Sequence, residues 1–290
     1  MKIDEQVVEV GSPGGEMIGV LAQPASPARA KPIGVVIVVG GPQTRVGSHR
    51  QFVLLARSLA GAGYACLRFD YRGMGDSSGP RPDFEQAGPD IRSACDALLG
   101  AVASCEGVAL WGLCDGATAA LLYAAEDERV RLVMAANPWV RNAKSQSAAF
   151  VSDHYGSRLR SADFWRRLLT GRVDVVRSCA EAVGHIWRAW RPSGVSQSSE
   201  ARGAVARLLR TRIPASVDAV ILLSGNDLVA REFELAAADW LSTSVGRMTI
   251  RRYEAADHTF SGYLAMDAVI SDAIRRLEAH VAEGERCTQA

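Results

Sequence analysis

Short, strongly apolar stretches alternate with longer amphipathic ones along most of the chain. Residues 34–39 are an unbroken run of Gly, Val and Ile, which is typical of a strand buried on both faces. Similar strands are predicted at residues 64–69, 108–111, 131–136, 219–224 and 248–253. Helices are predicted at residues 49–62, 89–103, 115–125, 230–241 and 266–281. This alternation predicts an α/β fold in which helices flank both faces of a mostly parallel sheet.

Two extended segments precede the first buried strand. Residues 7–10 and 17–23 have strand-like patterns, and the turn-rich residues 11–15 separate them. We therefore expect an N-terminal hairpin that adds an antiparallel edge and brings the sheet to eight strands.

A long interruption, residues 141–212, lies between two predicted sheet strands. It contains helical patterns and a Ser- and Gly-rich break, and it is too long for a simple loop. We expect it to form a helical lid over the C-terminal edge of the sheet. The core domain would then consist of residues 1–140 and 213–290.

Composition narrows the classes of protein that fit. The chain has 290 residues, 48% apolar and 22% charged, and a net charge of +1, which gives no sign of a nucleic-acid partner. It has no apolar run of about 18 residues, so no membrane span is predicted, and its first residues lack a secretory signal pattern. Six cysteines without paired spacing argue against a zinc site or a disulfide framework, and indicate a reducing, cytoplasmic compartment. No cofactor or metal is predicted.

The most informative stretch follows the strand at residues 108–111. Gly112, Cys114 and Gly116 form a Gly-x-Cys-x-Gly motif between this strand and a helix rich in alanine. The pattern predicts a sharp strand-to-helix turn that holds a nucleophile, with small neighbours because its backbone is strained. A thiolate there would be stabilised by the N-terminus of the helix. The alternative is that Cys114 is a small buried residue beside two chance glycines.

The base and its acidic partner are expected after Cys114 in the chain. His258 follows the strand at residues 248–253, and Asp227 follows the strand at residues 219–224, so both would lie on the same sheet edge as Cys114. His258 would accept the thiol proton, and Asp227 would orient the imidazole. Asp257 competes with Asp227 for this role, although a neighbour in sequence usually points elsewhere.

The loop after the first buried strand is expected to help bind a developing oxyanion. The N–H of Asp115 would be one donor, and a second would come from Gly41 or Gln43, since Pro42 has no N–H. We favour Gln43; the alternative is a plain strand-ending turn. Four side chains are further predicted to contact the substrate: Arg45, His49, Trp139 and Trp187.

These residues together resemble the α/β-hydrolase superfamily. The resemblance rests on residues 70–77 (Asp-x-Arg-Gly-x-Gly-x-Ser), the Gly-x-Cys-x-Gly turn, residues 225–227 and residues 257–258, and it covers nearly the whole chain. Residues 40–43 and 111–117 more narrowly resemble the exosortase A system-associated hydrolase 1 group, which implies a bacterial hydrolase. The turn has cysteine where most esterases have serine, and in this it is similar to the nucleophile turn of dienelactone hydrolases. The cysteine puts peptidase and ordinary lipase activity in doubt.

A thiol nucleophile favours particular acyl substrates. Attack by a thiolate gives a thioester intermediate, so esters, thioesters and lactones are better candidates than amides. An acyl hydrolase acting on a small molecule is therefore predicted. Acyl transfer through the same intermediate and a catalytically silent scaffold are the alternatives, and a homodimer is left open.

The charge of the predicted lid suggests an anionic substrate. Residues 141–212 contain 13 Arg and one Lys against five acidic residues, interleaved with three tryptophans. Such a run is usually a solvated face, but the excess of Arg over Lys also suits recognition of an anion. Candidate partners are acyl-CoA, an acyl carrier protein or an acidic glycan.

Overall fold

The computed structural model of the protein describes residues 2–140, 213–243 and 248–288. The predicted lid at residues 141–212 lies outside the described residues. None of the described helices is long and apolar enough to cross a membrane.

One sheet of eight strands forms the centre of the described structure, as predicted. Its spatial order is β1-β2-β4-β3-β5-β6-β7-β8. The six strands from β4 to β8 in this order run parallel, whereas β1 and β2 form the antiparallel edge expected from the sequence. The strands are β1 (Ile3–Ser12), β2 (Gly15–Pro24), β3 (Ile33–Val38), β4 (Cys66–Phe69), β5 (Gly107–Leu113), β6 (Val130–Ala136), β7 (Asp218–Ser224) and β8 (Met248–Tyr253).

Within the described residues, six α-helices connect or follow the strands. They are α1 (Gln51–Gly61), α2 (Gly88–Ala101), α3 (Asp115–Tyr123), α4 (Leu228–Ala236), α5 (Ala238–Thr243) and α6 (Tyr263–Thr288). The single helix predicted at residues 230–241 is thus two helices that meet at Ala237, whose backbone leaves the helical region. Phe233 of α4 and Trp240 of α5 pack edge to face across this junction with ring centroids 6.4 Å apart.

Burial explains why the central strands have no polar alternation. Every residue of β3 and β5 is buried, because neighbouring strands and helices cover both faces of the sheet. These two strands are direct neighbours, with Val38 paired to Gly112 near their C-terminal ends. Along the chain, β4 adds to one side of β3 and β5 adds to its other side. Ligand crevices form where the strand order reverses in this way. The loop after β3 and the turn after β5 are therefore placed side by side.

Candidate active site

The turn after β5 has the strained geometry that its sequence predicts. Cys114 has φ 60° and ψ −128°, a conformation that residues other than glycine rarely adopt. Its carbonyl accepts hydrogen bonds from the N–H groups of Ala117 (3.1 Å) and Thr118 (3.2 Å), so Cys114 caps the N-terminus of α3. Its N–H donates to Ala136 of β6 at 2.9 Å. The half-buried thiol thus stands at the C-terminal edge of the sheet.

The two flanking glycines are required by close contacts. A Cβ on Gly112 would lie 2.6 Å from the carbonyl oxygen of Gly116. A Cβ on Gly116 would lie 2.5 Å from the carbonyl oxygen of Val38, the last residue of β3. Any larger residue at either position would push α3 away from the sheet. The strained backbone of Cys114 would then move as well.

His258 and Asp227 form a direct pair beyond the ends of β8 and β7. The Nδ1 atom of His258 lies 2.7 Å from Oδ2 of Asp227. The carboxylate also accepts the N–H groups of Val229 (3.1 Å) and Ala230 (3.3 Å), because Asp227 is the N-cap of α4. Asp257, the competing acid, accepts hydrogen bonds from Ser261 and the Thr259 N–H, and so stabilises its own turn.

The surroundings of His258 favour its protonated form. Burial lowers the pKa of His258, but hydrogen bonds and charge interactions with Asp227 and with Cys114 outweigh this and raise the pKa from 6.5 to about 10. The imidazole therefore lies between the carboxylate and the thiol, and both neighbours favour its protonated form. The structure thus brings together Cys114, His258 and Asp227, the three residues that the sequence predicts.

Close backbone contact holds the loops after β7 and β8 together. A Cβ on Gly225 would lie 2.4 Å from the carbonyl oxygen of Glu254, which explains the glycine before Asp227. The N–H of Asn226 donates to Ala256 at 3.0 Å, and the N–H of Gly225 donates to Tyr253 at 3.0 Å. These bonds fix the two loops relative to each other and thereby the distance between His258 and Asp227.

Asn137 is a further residue of the site that sequence reasoning missed. It is fully buried just after β6 and has φ 45°. Its Nδ2 donates to the carbonyl of His258 and to Oγ of Ser224, both at 2.9 Å, while its Oδ1 accepts the N–H of Ser224 at 2.8 Å. The side chain therefore connects β6, β7 and the histidine loop.

Replacing Asn137 with alanine is expected to destabilise the fold. The variant leaves buried polar groups of Ser224 and His258 without partners, which should lower the free energy of unfolding by about 1–3 kcal/mol for each unsatisfied group. Urea unfolding measures this. Asn226→Ala, an exposed position in the neighbouring loop, is the matched control and should stay within about 0.5 kcal/mol of the wild type. A free energy for Asn137→Ala equal to that control would contradict the assigned bridge.

The two candidate oxyanion donors of the loop after β3 are both engaged in the protein. The N–H of Gly41 donates to Oδ1 of Asp115 at 2.5 Å. The N–H of Gln43 donates to the carbonyl of Gly40 at 3.3 Å, which is longer than a good N–H···O bond. Gln43 would therefore give up little by turning to another acceptor, whereas Gly41 would have to leave a carboxylate.

Arg45 is held by two carboxylates of the turn after β4. Its guanidinium forms ion pairs with the fully buried Asp70 and with Asp76, and its N–H donates to Asp70 at 2.5 Å. The turn after β4 thus neutralises the charge of Arg45 and supports the active-site edge. That Arg45 contacts substrate stays a prediction.

The other predicted substrate contacts have different outcomes. His49 is half-buried, has φ 54°, and interacts electrostatically with Asp257 beside His258. The backbone N–H of Trp139 donates to the carbonyl of Cys114 at 3.1 Å, and the indole ring packs against Phe84 with centroids 5.8 Å apart. Trp187 lies outside the described residues. Within the described ranges, no group of three His, Cys, Asp or Glu side chains is placed to hold a metal ion.

Comparison with known proteins agrees with this architecture. A family model described as the α/β-hydrolase family matches residues 35–273. No curated protein matches the chain. Among solved structures, the Pyrococcus furiosus esterase Pf2001 is 14% identical with a TM-score of 0.64, and the match covers 96% of this chain and 93% of that one.

Two further structures have the same fold at similarly low identity. Dienelactone hydrolase from Anabaena variabilis is 18% identical with a TM-score of 0.59, covering 95% of this chain and 97% of its own. An α/β serine hydrolase homologue from Coxiella burnetii is 13% identical with a TM-score of 0.57, covering 94% and 97%. The TM-scores show a shared fold, and the family match extends over most of the sequence. The chain belongs to the α/β-hydrolase family.

Proposed function

We propose that this protein hydrolyses ester or thioester bonds of a small acyl substrate, with Cys114 as nucleophile, His258 as proton carrier and Asp227 as its partner. The observation that carries the proposal is the arrangement of His258, which interacts with Asp227 on one side and with the strained Cys114 on the other. An imidazole beside a thiol, with a carboxylate that favours its protonated form, is the arrangement that a thiolate–imidazolium mechanism requires. The family match supports the hydrolase class.

The proposed reaction has two halves. The thiolate of Cys114 attacks the acyl carbonyl, and the carbonyl electrons move to oxygen. Collapse of this intermediate expels the alcohol or thiol, which takes a proton from His258, and leaves an acyl-thioester on Cys114. Water then attacks the thioester while His258 accepts its proton. Loss of the Cys114 thiolate releases the carboxylic acid and restores the charged pair.

Oxyanion stabilisation is assigned to two backbone groups. The N–H of Asp115 belongs to the first turn of α3, where helix amides have no carbonyl acceptor within the helix. Gln43 is the proposed second donor, because its N–H holds only the long bond to Gly40. Both groups would gain more from a developing negative charge than from a neutral carbonyl, which lowers the barrier.

The finer identity of the substrate rests on the sequence resemblance and on the fold relatives. Two of the structural relatives are named as an esterase and a dienelactone hydrolase, which supports an ester or lactone bond. We place the chain in the exosortase A system-associated hydrolase 1 group on residues 40–43 and 111–117. The arginine-rich residues 141–212 lie outside the described structure, so an acyl-CoA or acyl carrier protein substrate is supported by charge alone.

A substrate panel combined with single-site alkylation tests the proposal. Nitrophenyl esters and acyl-CoAs of increasing chain length should be hydrolysed faster than the matched anilides, because a thiolate expels an alkoxide or thiolate more readily than an amide nitrogen. One equivalent of iodoacetamide should abolish this activity by modifying Cys114. Product analysis with added alcohols or amines distinguishes hydrolysis from acyl transfer.

Other described cysteines provide the internal control for alkylation. Burial raises the pKa of the thiols of Cys66, Cys95 (to about 12) and Cys105 (to about 11), so all three are protonated and poorly reactive at neutral pH. Peptide mapping should therefore find the first label on Cys114. Equal labelling of Cys105, or full activity after Cys114 is modified, would reject the nucleophile and favour a silent scaffold.

A further inference from the structure

The side chain of Asp115 connects two separate parts of the candidate site. Asp115 follows Cys114 directly and is the first residue of α3. Its Oδ1 accepts the N–H of Gly41 at 2.5 Å, in the loop after β3, and the N–H of Gly116 at 3.0 Å, in its own helix. One carboxylate oxygen thus ties the oxyanion loop, defined here as residues 40–43, to the turn that carries the thiol.

Two further contacts fix the same loop. Arg81 donates from Nη2 to the carbonyl of Gly41 at 2.7 Å, so the peptide groups on both sides of Gly41 are held. Gly40 approaches the turn so closely that a Cβ there would lie 2.1 Å from the carbonyl oxygen of Leu113 and 2.6 Å from Oδ1 of Asp115. The loop therefore rests directly on the backbone next to Cys114.

The carboxylate is held in a mostly buried setting by groups that suit a negative charge. Burial raises the pKa of Asp115, and the amide bonds from Gly41 and Gly116, together with the charge of Arg81, oppose that rise. The N-terminus of α3 adds a favourable dipole. The hydroxyl of Tyr71, which is buried and has no hydrogen-bond partner in the described structure, also interacts electrostatically with Asp115.

We propose that Asp115 is a positioning residue whose carboxylate fixes the oxyanion loop against Cys114. The amide of Gly41 serves as the attachment point, and the amide of Gln43 remains to receive the oxyanion beside the N–H of Asp115 itself. This inference rests on the proposed function. It gives the side chain of Asp115 a role that is separate from that of its backbone N–H, which binds the oxyanion.

Two substitutions of Asp115 separate the attachment from the charge. In Asp115→Asn the amide oxygen still accepts the N–H of Gly41, whereas in Asp115→Ala no acceptor remains. We expect Asp115→Ala to lose about 10²–10³-fold in kcat with little change in KM, because an oxyanion donor is displaced. Asp115→Asn should retain activity to within about tenfold, since a neutral acceptor is weaker than a charged one.

A second readout distinguishes positioning from general damage to the fold. Alkylation of Cys114 by iodoacetamide forms no oxyanion, so its rate in Asp115→Ala should match the wild type. Binding of an aldehyde, which adds to the thiol and creates an oxyanion, should weaken in parallel with kcat. Asp83→Ala is the matched control, because Asp83 is an exposed acid near Arg81 whose side chain caps nothing.

The outcomes are separable from those of the proposed function. If the wild-type protein hydrolyses no ester or thioester, the proposed function itself is rejected. If the wild type is active, three results would overturn the inference while the proposed function stands. Asp115→Ala could be as active as the wild type, or Asp115→Asn could be as impaired as Asp115→Ala. The rate of Cys114 alkylation could also fall in parallel with kcat. If Asp115→Ala does not fold, Arg81→Ala releases the loop from its other side. That variant should lower kcat without changing alkylation, and unchanged kcat would overturn the inference.

Discussion

Cys114→Ala is expected to reduce ester hydrolysis by about 10⁴-fold or more, because the remaining site has no atom that can form the acyl intermediate. The fold should persist, since the sulfur is half-buried and the turn is held by backbone hydrogen bonds from Ala117 and Thr118 and by one to the carbonyl of Ala136. Steady-state kinetics on the most active nitrophenyl ester measures the loss. Mass spectrometry of the wild type with a slow substrate should show one acyl group, which the variant lacks.

Cys105→Ala is the matched control for Cys114→Ala. Cys105 lies just before β5, at the opposite end of the strand from Cys114, and its Sγ contacts the carbonyl of Lys31 at 4.0 Å. This variant should keep wild-type kinetics. Cys114→Ser should keep a small fraction of activity, because a hydroxyl needs an uncharged imidazole as base. Retention of more than a tenth of the activity by Cys114→Ala would exclude the covalent mechanism.

Asp227→Asn is expected to move the alkaline limb of the pH profile. The carboxylate is a principal reason that the pKa of His258 is raised to about 10, so the wild-type kcat/KM should fall only as pH approaches that value. Without the charge, the limb should shift toward the ordinary histidine value near 6.5, and kcat/KM at pH 8 should fall by roughly 10²–10⁴-fold. Asparagine is a good N-cap, so the first turn of α4 should survive.

Stability provides an independent measure of the same pair. A raised histidine pKa contributes stability that is fully present below about pH 6.5 and is lost as pH rises through about 10. The wild-type free energy of unfolding should therefore fall across this window, and in Asp227→Asn this fall should be smaller. Asp257→Asn is the control, because its carboxylate accepts bonds from Thr259 and Ser261 rather than from His258. An unshifted limb in Asp227→Asn would reject the pairing.

Local sequence signals were sufficient for the strands and the turn. The uninterrupted apolar run of β3 and the glycines around Cys114 each have a direct physical cause, namely burial on both faces and close backbone approach. The order of Cys114, Asp227 and His258 along the chain then followed from parallel strands whose C-terminal ends share one edge. These inferences needed no knowledge of which side chains meet across the sheet.

Long-range pairing was not readable from the sequence. Arg45 is predicted to contact substrate, but the sequence does not reveal that Asp70 and Asp76, 25 and 31 residues later, neutralise its charge. Asn137 resembles an ordinary strand-ending residue, since its partners Ser224 and His258 are 87 and 121 residues away. In each case, the tertiary environment decides the role.

The position of β8 has a consequence for how the protein would lose its activity. Among the described strands it is the outermost, bonded only to β7, and all of its residues are half-buried or exposed. Fraying of this rim would carry His258 away while Cys114 stayed anchored on an interior strand. Such a local opening requires much less free energy than global unfolding. Mild heating should therefore silence the protein before its core melts, and cooling should restore it.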